Sequence, residues 1–257
     1  MKPRVLSAAA VALLAAAGLL VHVGKAHEGQ SLEAVATLWG DVFRDASHAA
    51  SAPFHVSAAQ EIRLGNQLAA NVRATYRVDA AHQPAVLRIG ARLSAQADSR
   101  VPFTFLAIDE PSINAFALPG GHVFVTRGLA AFVRGDDELA AVIGHEMAHI
   151  ELRHCLDGHR YEAVMSRLGA AGAGELMDAM QSALAISYSR EQEFEADARG
   201  VALASQAGYD PKAAPALFRR LAAAEPQPRE GWLAPYLESH PAALERAARL
   251  DRWPQLR

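Results

Sequence analysis

The sequence predicts an α+β fold, mainly helical with one small sheet of about three strands. Three features point to it. Alanine supplies much of a composition that is 51% hydrophobic and 21% charged, and alanine-rich sequence favours helix. From Asp136 onward apolar residues recur at helical spacing in almost every segment. Between Val101 and Thr126 the texture changes to short aromatic and β-branched runs separated by Pro and Gly. At 257 residues the chain fits one large domain, or one domain with a small appendage.

The elements follow in order. Leu32, Val35, Leu38, Trp39, Val42 and Phe43 predict a helix over residues 31 to 50, broken by Ser51-Ala52-Pro53. Ser57 with Gln60 is a capping-box pattern that opens a helix from 57 to 76, and another follows from 83 to 97. Residues 103 to 108, 114 to 118 and 122 to 126 read as strands, with Pro119-Gly120-Gly121 as the turn between the last two. Helices are then expected at 136 to 156, 161 to 187, 190 to 206, 211 to 223 and 241 to 252.

The N-terminus has Lys2 and Arg4, then an uncharged run from Val5 to Val23, then small residues around Gly24 and Ala26. This reads as a cleaved export signal or an uncleaved anchor, a buried N-terminal helix being the bland alternative to those two. Both place the rest of the chain outside the cytoplasm, periplasmic or membrane-anchored facing the periplasm, because the positive residues stay inside. The expected organisation is a leader at 1–26, an N-terminal helical segment at 27–56 and a catalytic domain at 57–257. The formal charge is -3, with no long run of either sign, so nucleic acid is excluded as a partner. The one cysteine, Cys155, excludes an intramolecular disulfide and a cysteine-rich metal site. It reads as a buried small apolar residue.

Any metal must therefore be held by histidine and carboxylate, and His145-Glu146-Met147-Ala148-His149 is arranged to do so. Asp136, Asp137 and Glu138 complement the positive end of a helix that starts well before His145. Positions four apart share a helical face, so His145 and His149 can direct ring nitrogens at one Zn²⁺. Glu146 lies about 100° round the helix, where its carboxylate reaches a zinc-bound water without ligating the metal. Zinc lowers the pKa of that water towards about 7, and Glu146 takes its proton as it attacks a peptide carbonyl. A catalytic zinc needs a third protein ligand and an open position. Glu193 is the expected third ligand, and Asp197, one helical turn later, accepts the second ring N–H of a zinc-bound histidine. His154, five residues after His149, is turned from the zinc face and reads as structural or surface; His159 is similar.

Taken together, these residues resemble the membrane-linked gluzincin metallopeptidases of family M48, which include the HtpX, BepA, Oma-type and CaaX prenyl proteases. The resemblance runs from about Ser57 to Leu250. It rests on Asn114 to Gly121, Thr126-Arg127-Gly128-Leu129, Asp137-Glu138-Leu139-Ala140, Gly144 to His149, Tyr188 to Asp197 and Ser239-His240-Pro241. It implies a zincin domain with one Zn²⁺ per chain held by His145, His149 and Glu193, with Glu146 as general base and Asp197 behind the ligands. It implies for His240 either a zinc ligand that holds the enzyme latent or a group stabilising the tetrahedral intermediate; a helix-start residue is the remaining reading. Arg246 is implied as an oxyanion or structural partner.

In related enzymes the strand at 122 to 126 aligns the substrate as an added strand, so Asn114, His122, Val123 and Phe124 are the expected substrate contacts. The expected function is a zinc endopeptidase acting on unfolded or misassembled envelope proteins. Its partners are polypeptides, with membrane association through the N-terminal segment. The alternatives are a zinc-containing chaperone or binding module closed by His240, and an aminopeptidase on the same scaffold. Against these relatives the expectation is a minimal, stand-alone protease domain, without the several membrane spans of HtpX or a repeat domain after the protease.

Overall fold

The computed structural model describes residues 56–157, 188–224, 240 and 242–253, all within the unit Ala52–Arg257. The leader, the helix expected at 31 to 50, the helix expected at 161 to 187, His159, Ser239 and Pro241 lie outside the described residues. No helix among the described residues is long and apolar enough to cross a membrane.

Helix α1, Ala58–Thr75, starts at the anticipated capping box: Ser57 accepts from the Gln60 backbone N–H, and the Gln60 side chain accepts from the Ser57 N–H. Helix α2, Gln83–Ser94, is shorter than its sequence signal and has Pro84 in its first turn. The sheet follows, with β1 at Thr104–Ile108, β2 at Ala115–Leu118 and β3 at His122–Thr126. Between β2 and β3 the chain reverses through Pro119–Gly121, where Gly120 and Gly121 take φ of 79° and 93°, a region glycine enters without steric cost.

The strand order is β1-β3-β2, with β3 parallel to β1 and antiparallel to β2. This corrects the assignment of residues 122 to 126 as a substrate-aligning strand. His122, Val123 and Phe124 have strand neighbours on both sides, so their main chain has no edge to offer a peptide. Alternation explains why this strand is buried on both faces. Val123 and Val125 enter the main core with Val86, Ile89, Leu93, Ile143 and Met147, whereas Phe124 joins Leu64, Leu68 and Val72 of α1. Residues without period-2 polarity are therefore what a central strand between two helical layers requires.

A short helix, α3 at Arg127–Phe132, follows β3 directly and was not anticipated. Thr126 caps it by accepting from the Leu129 N–H. Helix α4, Asp136–Glu151, carries three acidic residues in its first turn, and Arg88 makes two hydrogen bonds to Asp136 at 2.8 and 3.0 Å. Leu139 to Ile150 are buried without a break, so α4 is the central helix of the domain. It ends five residues before the predicted stop. Arg153 adopts φ 64°, its guanidinium donates to the Val56 carbonyl at 2.8 Å, and His154–Leu156 turn back as a short 3₁₀ helix. Helices α5, Arg190–Gln206, α6, Ala213–Ala223, and α7, Ala243–Leu250, complete the described fold.

Candidate metal centre

Two helices bring the expected donors together. On α4, His145 and His149 share a face, and their Nε2 atoms stand 3.0 Å apart. Helix α5 opens with a second reciprocal capping box, Ser189 with Gln192, which fixes its first turn. That turn presents Glu193, whose Oε1 lies 3.4 Å from His149 Nε2 and whose Oε2 lies 3.7 Å from His145 Nε2. His240, just before α7, enters the same cluster: its Nδ1 is 3.3 Å from His145 Nε2 and 3.0 Å from Glu193 Oε1. One donor atom from each of these four buried residues falls within 4.8 Å of the others.

These separations test whether the set fits a metal. Donors at about 2.0–2.1 Å around a tetrahedral zinc stand about 3.3–3.4 Å from one another. The observed spread of 3.0–3.7 Å brackets that figure. Two imidazoles and a carboxylate are also the donor set of catalytic zinc sites. Glu146 supports the fit. It is fully buried, and neither carboxylate oxygen has a hydrogen-bond partner among the described residues; His240 Nε2 is 3.5 Å from its Oε1. A buried carboxylate left in that state is costly, and a bound water would satisfy it.

Behind the cluster, further groups hold His145 and Glu193. Asp197 Oδ1 lies 3.0 Å from His145 Nδ1, the ring nitrogen facing away from the cluster. Arg246, fully buried on α7, donates to both oxygens of Asp197 at 2.8 and 2.6 Å, and its Nη1 is 2.8 Å from Glu193 Oε2. The guanidinium also stacks 4.1 Å over the Phe218 ring. Arg246 thus joins α7 to two carboxylates of α5. Burial opposes ionisation of Glu193, but Arg246, His240 and the hydrogen bond from His149 hold its carboxyl well below the usual range. Asp197 is likewise held low against its burial by Arg246 and His145. For His149, burial pushes the imidazole well below its ordinary value, against the pull of Glu193, and so favours the neutral ring that a metal requires.

Three contacts were not legible in the sequence. The Tyr188 ring stacks on the His149 ring at a centroid distance of 3.7 Å. His154 is buried and approaches His149 from behind, Nδ1 to Nδ1 at 3.0 Å, and its Nε2 lies 3.3 Å from Glu195 Oε2. His154 does face away from the donor cluster, as its helical offset implies, but the turn at Arg153 swings it against His149. Burial lowers the His154 pKa, with Glu195 opposing. Cys155 is buried as expected, its Sγ 3.5 Å from the Tyr188 hydroxyl.

The expected substrate residues do not join the cluster. His122 is buried in the sheet, its ring nitrogens 2.7 Å from Thr104 Oγ1 and 3.0 Å from Asn66 Oδ1. Val123 and Phe124 are core residues. Asn114 stands at the entrance to β2, its N–H donating to Thr126 Oγ1 at 2.9 Å.

The chain is similar in sequence to known metallopeptidases. The chain is 38% identical over 153 residues to the mitochondrial metalloendopeptidase OMA1 of Schizosaccharomyces pombe, covering 57% of this chain and 45% of that protein. It is 38% identical over 152 residues to a putative beta-barrel assembly-enhancing protease of Vibrio cholerae, covering 52% and 31%. To the beta-barrel assembly-enhancing protease of Escherichia coli it is 29% identical over 191 residues, covering 66% and 39%. The aligned segment spans less than half the length of each of these relatives. The model of peptidase family M48 matches residues 80–254, which include every residue of the cluster, and the chain belongs to that family.

Proposed function

We propose that this chain is a zinc-dependent endopeptidase that binds one Zn²⁺ through His145, His149 and Glu193. The observation that carries this reading is the convergence of those three donors beside the buried carboxylate of Glu146, which has no hydrogen-bond partner among the described residues. When bound, zinc supplies Lewis-acid activation of water and of the peptide carbonyl. Glu146 takes the proton of the attacking water and delivers it to the leaving amine. Asp197 fixes the ring of His145, and Arg246 holds the carboxylates of Glu193 and Asp197 in place. The outer edge of β2, Ala115–Leu118, has no strand neighbour among the described residues, but its Ala117 carbonyl accepts from the Cys155 thiol at 3.8 Å, so of the expected substrate contacts Asn114, at the entrance to β2, is the one retained.

The leader-like N-terminus supports export to the periplasm, free or anchored. With it, the beta-barrel assembly-enhancing relatives support unfolded or misassembled envelope proteins as substrates.

One observation favours a latent form. His240 brings a fourth donor to the cluster, 3.0 Å from Glu193 and 3.3 Å from His145. Four protein donors around a tetrahedral metal leave no position for water. In this reading His240 must withdraw before hydrolysis, and a protein in which it never does is a zinc-containing binding module.

Zinc content and casein hydrolysis of the purified chain, alongside Glu146→Gln, test the proposal. One zinc per chain with hydrolysis lost in Glu146→Gln is the expected result. One zinc without hydrolysis in any form, His240→Ala included, would favour the binding module, and no zinc would overturn both.

A further inference from the structure

His145 and His149 are supported differently. Behind His145 stands a buried carboxylate, Asp197, at 3.0 Å. Behind His149 stands a second imidazole, His154, at 3.0 Å, and only beyond that a carboxylate, Glu195, at 3.3 Å and at the protein surface. The hydrogen-bond inventory gives this chain one direction. If His149 turns the lone pair of Nε2 towards the cluster, its proton is on Nδ1 and must be donated. The facing atom, His154 Nδ1, must then accept, which leaves the His154 proton on Nε2, directed at the Glu195 carboxylate. Every polar atom in the series is satisfied in that arrangement alone. The opposite tautomer of His154 would set two N–H groups against each other at 3.0 Å.

We infer that His154 is a positioning residue for the metal centre: its Nδ1 accepts the Nδ1–H of His149 and fixes that ring's tautomer and orientation, while Glu195 fixes the tautomer of His154. Tyr188, stacked on His149 at 3.7 Å, holds the plane of the ring, and His154 sets its rotation within that plane. The backbone makes the contact possible. Arg153, with φ 64°, ends α4 and folds His154 back beneath His149, where continued helix would have carried it away. A neutral acceptor reached through a surface carboxylate is a weaker support than buried Asp197. The inference rests on His149 being a metal ligand.

The test is the zinc dissociation constant of the full chain, measured by chelator competition, for wild type, His154→Leu and His154→Asn, with circular dichroism to monitor folding. Loss of a group supporting a zinc-bound histidine costs about 10–100-fold in affinity, the weakening expected for His154→Leu. Asparagine places an acceptor oxygen near the position of Nδ1, so His154→Asn is expected to recover most of the affinity. Folded His154→Leu binding zinc as tightly as wild type would overturn the inference, whereas wild type binding no zinc would overturn the proposed function on which it rests. Should His154→Leu not fold, ¹⁵N–¹H correlation of the histidine rings in zinc-loaded wild type decides. Protons on His149 Nδ1 and His154 Nε2 are expected, and a proton on His154 Nδ1 would refute the assignment.

Discussion

Gly144 and Gly200 meet backbone to backbone where α4 and α5 cross. A Cβ placed on Gly200 would stand 2.7 Å from the backbone nitrogen of His145, and one on Gly144 would stand 2.8 Å from the Gly200 carbonyl oxygen. No flexible side chain can yield at either contact. This close approach sets the distance between the helix carrying His145 and His149 and the helix carrying Glu193 and Asp197.

Gly200→Ala is therefore expected to push the helices apart. Overpacking of this kind costs about 1–3 kcal/mol. Urea unfolding should register that loss, and zinc titration should show weakened affinity although no donor has changed. Unaltered stability and affinity would mean that the crossing does not govern the site.

Removal of Arg246 leaves two carboxylates, Glu193 and Asp197, buried beside each other without their shared cation. Breaking a buried ion pair from one side costs about 3–5 kcal/mol. Arg246→Met, measured as metal-free protein by denaturant unfolding, is expected to fall in that range. Arg246→Lys should rescue it only partly, since an ammonium cannot reproduce the paired contacts to Asp197.

His240→Ala opens the fourth position of the cluster. Casein hydrolysis is expected to rise above wild type while zinc content stays at about one per chain, as three protein ligands suffice for a catalytic site. A fall in hydrolysis with zinc retained would assign His240 to the transition state in place of latency.

His122 contributes a pH dependence to stability. Burial, reinforced by the charge of Arg73, lowers its pKa in the folded protein. The unfolded chain therefore takes up this proton first as pH falls below about 6.5, and folding stability drops until the folded pKa is passed. Above about pH 7 the group has no effect. His122→Gln is expected to lose less stability than wild type between pH 7.5 and 5.5, read as the difference in urea midpoints; equal losses would exclude His122 as the source.

Much of this architecture could be read from local pattern. The capping box at Ser57 opened α1 where expected, and α5 begins at the expected residue 190 on a second box, Ser189 with Gln192, because a cap is decided by residues three apart on one stretch of backbone. The convergence of His145 with His149, and of Glu193 with Asp197, was readable for the same reason, since residues four apart share a helical face. That Glu193 meets the histidines followed from what a catalytic metal demands, and not from any spacing between the two helices.

Other features depended on contacts remote in sequence. His122 to Phe124 carry an ordinary strand signature, and nothing in it separates an edge from a centre; β1 and β2 decide that by flanking β3 on both sides. Helical offset alone turns His154 away from the histidine pair, but a left-handed residue at Arg153, anchored to the Val56 carbonyl, returns it to His149. Arg246 is singled out by the resemblance alone, since by helical pattern it is one more arginine on an amphipathic helix; α7 packing on α5 is what buries it between two carboxylates. Sequence alone determined the chemistry available to this protein, because residue type and helical period are local. Only the tertiary structure decided which strand is shielded and which groups stand behind the donors, because those follow from how separate elements pack.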